Sequence, residues 1–500
     1  MAGGVPPDMK TGSRPSGTEL TTGSTSDLAP SAPPPPNPPG RRQFDRSIIE
    51  GPIPRAVWRI AWPSVLQNAI GGLQGIIDHA MVGHYVGFTG NAAIGVSWQI
   101  FLVVIVFIAS LFTGMGVLVA RFAGANDHEK VNRTVYQAFL TSLVLALGIL
   151  APIGWLLSPS LLALVNAAPG VQAEALPYLR TMFVGGIGML LFFMLGGAFR
   201  AAGDARTPLR LGASLTVLNL TLNIILIRGA GPIPALGTQG AALGTVIASA
   251  IVSAFGLWLI FRGRAVLHFE PGMPKRPDFS IIRALFRFGL PAGLQGVAMN
   301  VAGVLLLRFI GSLEHSAEAQ AAYAVGYAEL FSLITWTSVG LMGAAAAVAG
   351  QNLGAGRPDR SVHAVHVAAR IGLSFAVVIG SLFLLIPDRL LGIFGLGDPM
   401  VVEIGTQLLR FLAVSGLFIT VALTFTGGLQ GTGDTRSPLY ITLVSQVALP
   451  LGICFFLDAT GQLEAAGVWT AILVGHVTRC LLTVARFQQG AWRSIAVEIR

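Results

Sequence analysis

Charge is scarce in this chain: Asp, Glu, Lys and Arg make up 11% of its 500 residues, where a soluble domain carries roughly 25%. Cysteine is scarcer still. Cys454 and Cys480 both lie in apolar runs, which excludes a disulfide framework and a cysteine-built metal site. There is no Gly-x-x-x-x-Gly-Lys-Ser/Thr phosphate loop, no His-Glu-x-x-His and no Cys-x-x-Cys. ATP-driven pumping by this chain alone and the commonest metal and redox chemistries go with them, so neither a cofactor nor a metal is expected. Residues 1–50 hold no apolar run, and no secretory signal peptide is read there. Their Ser/Thr/Pro/Gly-rich composition, with "SAPPPPNPPG" at Ser31–Gly40, reads as a flexible tail that cannot bury enough surface to order itself.

What the chain does have is hydrocarbon-like sequence. Hydrophobic residues make up 53% and mean hydropathy is +0.70. The apolar residues come in successive runs of about 20 or more, the length a helix needs to cross roughly 30 Å of hydrocarbon. A transmembrane β-barrel would show alternating segments of about ten residues, and these runs do not alternate. The 62 glycines suit closely packed helix backbones. The fold class expected is an all-α polytopic membrane protein with the lipid bilayer as its surroundings.

Breaks in the apolar pattern give twelve candidate spans, near 56–82, 91–119, 133–157, 173–198, 208–228, 238–261, 283–310, 318–349, 362–387, 401–429, 438–458 and 465–487. Lysine and arginine orient them. Of 32 such residues, 27 fall on the side that holds both termini, Arg200, Arg479 and Arg486 counted among them. Arg228 and Arg389, with Arg180, Arg308 and Arg410 near helix ends, fall on the other. Both termini are therefore expected to be cytoplasmic. The basic charge is a topology signal, and a nucleic-acid partner is disfavoured.

A long-period repeat divides the chain. "GDARTPL" (Gly203–Leu209) recurs as "GDTRSPL" (Gly433–Leu439), 230 positions later. "RFAGAN" (Arg121–Asn126) pairs with "QNLGAG" (Gln351–Gly356) at the same offset, and "WPSVL" (Trp62–Leu66) with "LPAGL" (Leu290–Leu294) at 228. An even number of spans separates the repeats, so the two halves share one orientation and are related by an axis along the membrane normal. Parallel repeats of this kind are a transporter architecture. The expected organisation is a tail at 1–54, a first lobe at 55–261, a cytoplasmic linker at 262–280, a second lobe at 281–489 and a tail at 490–500.

The repeated Gly-Asp-x-Arg-x-Pro turns, the two six-helix halves and "NLTLNIILI" (Asn219–Ile227) together resemble the MATE family, the multidrug and toxic-compound extrusion antiporters of the MOP superfamily. The resemblance runs from about Pro54 to Phe487. It implies a V-shaped pair of six-helix bundles that alternates access, a monomer of the cell inner (plasma) membrane. Such a protein exports cationic or amphipathic drugs against an inward flow of H⁺ or Na⁺.

Ionisable residues inside a span cost at least about 2.5–3.5 kcal/mol at the bilayer centre and are functional candidates by default. Gln67, Gly71, Gln74 and Asp78 are spaced 4, 3 and 4, on one face of the first helix. Thr216, Asn219 and Asn223 form a similar stripe on the fifth, and Thr245 begins the sixth near the same surface. A polar pocket in the outer half of the first lobe follows, with Asp78 its only carboxylate. It reads either as a coupling site or as a hydrogen-bonded brace. In the DinF-like branch of the family the first helix carries an Asp at the position of Asp78 and the fifth reads Asn-x-x-x-Asp. Asn219 matches the first member of that pair; the second is Asn223 here. The NorM-like branch places a Glu in helix 7, where this chain has "QGVAMNVAG", Gln295–Gly303. The resemblance is thus closer to the DinF-like branch, and H⁺ is favoured over Na⁺. His79 follows Asp78 by one residue and points about 100° away; it and His84 read as boundary histidines.

In the second half Glu329 shares a face with Ser332 and Trp336. It reads either as a partner of a cation or coupling ion or as a structural hydrogen-bonding group. Leu306 stands at the repeat mate of Asp78, so the lobes are not chemically equivalent. Gln67, Gln74, Trp98, Phe192, Asn300 and Trp336 are assigned to the substrate cavity. Asp204, Arg206, Asp434 and Arg436 are assigned to the structure and gating of the cytoplasmic turns. The reading is a secondary multidrug exporter and not an enzyme. A flippase for polyisoprenoid-linked sugars is the alternative, disfavoured because Arg180, Arg308 and Arg410 lie near outer helix ends. A membrane enzyme or receptor lacks a catalytic constellation.

Overall fold

The structure, a computed structural model, describes residues 44–165, 168–270 and 272–497. Among them it is all-helical, with no strand and a single isolated bridge at Ala230 and Ile233. The long helices are α1 (Ile53–Tyr85), α2 (Thr89–Gly124) and α3 (His128–Leu164). The first half ends with α4 (Pro169–Gly185 continued by Ile187–Ala201), α5 (Arg206–Arg228) and α6 (Gly237–Phe261). The second half comprises α7 (Phe279–Gly311), α8 (Ser316–Gly354), α9 (Pro358–Leu385), α10 (Pro399–Thr432), α11 (Arg436–Ala459) and α12 (Ala465–Gln488).

Ten of these are long and apolar enough to cross a membrane, and α4 makes an eleventh if its halves, bent by 50° at Gly186, form one span. The remaining member of the expected twelve is α1. Its 33 residues are ample, but Gln67, Asn68, Gln74, Asp78 and His79 dilute its apolar character.

The helix ends follow from local chemistry. Asp127, Asp278 and Asp398 accept first-turn amides of α3, α7 and α10, and Pro169, Pro358 and Pro399 sit in first turns where no amide partner is lost. The two repeat turns need glycine, since Gly203 has φ +95° and Gly433 φ +104°, values that side-chain-bearing residues avoid. Widened π-helical turns interrupt α3 at Val144–Leu150, α8 at Ala324–Leu330 and α11 at Leu443–Ala448.

The halves meet where the repeat brings backbones together. A Cβ on Gly124 of α2 would stand 2.0 Å from the Gln351 carbonyl oxygen, and one on Gly354 of α8 would stand 2.1 Å from the Arg121 carbonyl oxygen. These four residues are two pairs of repeat mates, so the seam is reciprocal. The same holds further along: Gly340 of α8 lies against Val65 of α1, and Gly293 of α7 against Ser110 of α2.

Residues 1–43 of the expected first tail and 498–500 of the second lie outside the described residues, and the described remainder of both tails and the linker is held to the helices. Residues 47–50 form a short helix whose Ile48 is fully buried, and Asn352, Arg357 and Arg360 bind the carbonyls of Ile48, Ile49 and Gly51. At the other terminus Trp492 is buried against Phe487, and the Ile495 carbonyl accepts from Arg121 at 2.6 Å. The segment before α7 is strapped to α3: Gln137 bonds both Arg276 and Asp278, and Arg133 pairs with Asp278 at 2.7 Å. In each case buried aromatic or aliphatic side chains and carbonyls left free at helix ends give an apparently polar stretch something to bind.

Candidate functional site

The polar stripes predicted on α1 and α5 meet, and α6 joins them. The Asn223 amide donates to Asp78 Oδ1 at 2.8 Å, with Asn219 and Asn223 both fully buried. Asn219, its amide turned to satisfy both neighbours, accepts from the Thr245 hydroxyl at 3.0 Å and donates to Asp78 at 3.2 Å. Gln74 also hydrogen-bonds the Asp78 carboxylate, and its own carbonyl accepts from Thr216 at 2.8 Å. Gly244 makes room for this: a Cβ there would lie 2.0 Å from Asn223 Oδ1, an oxygen with no partner among the described residues. His79 is turned away and pairs with Asn91 at 2.8 Å. The cluster lies at the end of the bundle opposite the repeat turns.

A chamber runs between the two halves as adjoining cavities. One of about 320 Å³ holds Gln67, Gln74, Phe192 and Trp336 together with Thr216. Trp336 reaches it from α8 by packing its indole on Gly72, where any Cβ would meet the ring. A second of about 490 Å³ is walled by Trp98, Met299, Phe331 and Leu423. A third of about 280 Å³ shares six lining residues with the second, Phe193, Val339 and Met342 among them. Asn300 stands apart, in a fourth of about 370 Å³, with its amide on the Gly296 carbonyl of its own helix at 2.9 Å. Asp78 lines none of these four; Gln74 and Thr216 connect it to the first.

Glu329 is not brought into the chamber. Its side chain has no hydrogen bond or ion pair among the described residues, and the widened turn of α8 presents Tyr327 to the cavity instead. Two arginines assigned by sequence to cytoplasmic connections do line it. Arg200 of α4 donates to Gln67 at 3.2 Å in the cavity of about 280 Å³. Arg479 of α12 lines the cavity of about 490 Å³, is 2% exposed, and among the described residues hydrogen-bonds only Met299 Sδ, at 3.8 Å. Their position in the sequence, nine residues before the end of α12 in one case, already marked Arg479 as an in-span cation. The counting of loop charges absorbed it.

At the repeat turns Asp204 accepts from the Thr207 amide at 3.0 Å and hydroxyl at 2.6 Å, and Asp434 from the Ser437 amide at 3.1 Å and hydroxyl at 2.8 Å. The Arg206 amide also donates to Asp204, at 3.1 Å, while the side chains of Arg206 and Arg436 are exposed and join neither arrangement. The cation that pairs with Asp434, at 3.0 Å, is Arg486 of α12.

The fold has counterparts. A solved structure described as the outward-facing conformation of a multidrug resistance MATE family transporter of the MOP superfamily superposes with a TM-score of 0.82, at 20% identity, covering 90% of this chain and 98% of that one. The probable multidrug resistance protein NorM of Thermotoga maritima is 27% identical over 456 residues, 90% of this chain and 95% of that protein. The probable multidrug resistance protein YoeA of Bacillus subtilis is 24% identical over 444 residues, covering 87% and 94%. The MatE profile matches twice, over residues 63–225 and 291–456, once in each half. The chain is a member of the MatE family of membrane transporters.

Proposed function

We propose that this chain is a multidrug exporter of the cell inner membrane, a monomer with cytoplasmic termini that moves cationic or amphipathic organic compounds outward in exchange for H⁺ by alternating access. The names of its relatives support the substrate class, and the apolar chamber is of a size to take drug-like molecules. The observation that carries the coupling step is the placement of Asp78, the one carboxylate in a buried cluster that binds α1 to α5 and α6. Its neighbours hold it in place by donated hydrogen bonds, each worth about 1.5–3 kcal/mol to a charged acceptor. A proton on Asp78 removes the acceptor charge and loosens α1 from the other two helices. Amide N–H groups turned toward the carboxylate suit a proton site better than sodium, which needs converging oxygens. Asp78 and Asn219 support a reading nearer the DinF-like branch.

The test is gradient-driven movement of ethidium by the full chain in liposomes. An imposed pH gradient drives it in the parent protein, and Asp78→Asn abolishes the driven component while ethidium still binds. Full driven transport in that variant, or transport that follows a Na⁺ gradient alone, overturns the reading. Tyr178 of α4 and His79 are the other titratable groups close to Asp78, so Tyr178→Phe and His79→Gln serve as controls and retain driven transport.

A further inference from the structure

The charged groups that line the chamber are both cations. Arg200 and Arg479 stand on opposite halves, and no carboxylate lines any of the four adjoining cavities. Neither arginine has an ion pair among the described residues. Burying an unpaired guanidinium costs several kcal/mol, so a protein that keeps one in a cavity wall gains something there.

Arg479 is part of a built surface. Trp469, His476, Arg479 and Thr483 recur along one face of α12, all buried. Trp469 Nε1, His476 Nδ1 and Thr483 Oγ1 have no hydrogen-bond partner among the described residues. His476 is 3% exposed, lines two of the cavities, and stacks on Phe331 at 5.8 Å. Tyr327 lies close enough to Arg479 for their charges to interact, and it continues a stack of rings through Tyr323 to Trp469. A guanidinium, an imidazole nitrogen and a phenol thus converge on one wall, all able to donate and, among the described residues, with no oxygen acceptor, Arg479 reaching only the Met299 thioether. The rest of the lining is mostly apolar, with Gln295, Gln430 and a few hydroxyls set into it.

We propose that the wall formed by Arg479, His476 and Tyr327 is a binding subsite for the head group of an amphipathic organic anion, a carboxylate, sulfonate or phosphate monoester whose apolar body lies against Trp98, Met299 and Phe331. The guanidinium fork matches such an oxyanion in two parallel hydrogen bonds, His476 adds a third donor, and Arg200 keeps the rest of the chamber positive. A compound with fixed positive charge meets repulsion from the same wall. The proposal rests on the export reading only in taking the chamber as the substrate path.

The test uses binding, with no gradient. The full chain in neutral phosphatidylcholine nanodiscs is titrated with dansyl-leucine and with its uncharged amide. The carboxylate binds saturably and at least tenfold tighter than the amide. Arg479→Gln removes that preference, Arg479→Lys keeps most of it, and ethidium binds more tightly in Arg479→Gln. Equal binding of acid and amide by the parent protein overturns the subsite, and that comparison needs no variant to fold. A preference that survives Arg479→Gln overturns it as well. Nanodiscs containing phosphatidic acid identify the source of the anion: competition assigns the subsite to a lipid head group, and unimpaired dansyl-leucine binding assigns it to soluble anions. Failure of ethidium export with anion binding intact would overturn the export reading alone, and the converse would overturn this one alone.

Discussion

The reciprocal glycine seam makes a prediction whose size follows from geometry. Gly354→Ala places a Cβ 2.1 Å from the Arg121 carbonyl oxygen, where ordinary contact begins at 3.4 Å. The obstacle is backbone on both sides, so no side chain can swing away, and α2 and α8 must part by more than an ångström. Overpacking of this kind costs about 1–3 kcal/mol. Under alternating access the seam is closed in this conformation and parted in the other, where the methyl group meets nothing. The substitution therefore shifts the equilibrium roughly 5- to 150-fold toward the state opened at this end.

Repeat mates supply the probes. Glu129 and Asp359, with side chains 74% and 94% exposed at the start of α3 and α9, are 230 positions apart. They can be changed to cysteine after Cys454 and Cys480 are replaced by serine. Spin-label distances between them should lengthen and broaden in Gly354→Ala and in Gly124→Ala. The double variant should shift little further than either single one, because helices already parted by one methyl group have room for the second. An unchanged distance distribution in both single variants would refute the close seam and its role in closure.

Two further predictions concern the repeat turns and the segment before α7. Asp434→Ala should cost about 2–4 kcal/mol, since it strips a buried cap and leaves Arg486 without its partner, whereas Asp204→Ala should cost about 1 kcal/mol, the worth of a cap alone; thermal unfolding of the purified protein compares them. Partial burial pushes Asp278 up, but the Ser280 hydroxyl, the amides of Ile281 and Ser280 and the Arg133 guanidinium outweigh it and hold the group below the ordinary carboxylate range. Its contribution to stability is then complete above its unfolded value near 3.9 and lost as pH falls through its folded one. Asp278→Asn should flatten the melting-temperature profile below about pH 4 and not above pH 6.

Much of this architecture was legible in the sequence because its signals are strong and local. Apolar run length announced the helices, and the 230-residue offset announced the two halves down to the mates that build the seam, Gly124 with Gly354 and Arg121 with Gln351. Stripe spacing put Asp78, Asn219, Asn223 and Thr245 in one cluster, since residues three and four apart share a helix face. The rest depended on distance between helices, which spacing does not encode. Trp336 reaches the first-half cavity only because α8 packs on Gly72. Glu329 misses the chamber because a widened turn rotates α8 and presents Tyr327. Arg200 and Arg479 were read as loop charges, since a rule that counts cations near helix ends cannot tell which of them turn inward.

The asymmetry between halves has a mechanical meaning. Along α1, Val65 lies against Gly340, Asn68 donates to the Trp336 carbonyl, Gln67 holds Arg200, and only then come Gln74 and Asp78 with their contacts to α5 and α6. The N-terminal part of the helix is thus pinned to the other half by Val65 and Asn68 and to α4 by Gln67, while its C-terminal part is held to α5 and α6 around one carboxylate. The corresponding C-terminal part of α7 carries Leu306 where Asp78 would be, packed in an apolar cluster with Ile310 and Leu330. On the proposed reading a proton on Asp78 loosens α1 there and has no equivalent purchase on α7. A proton at Asp78 would then act through Gln74 on the wall of the chamber, while an anionic head group would act from the opposite half through Arg479. Coupling between the two requires only that α1 have two arrangements and that both ligands bias them.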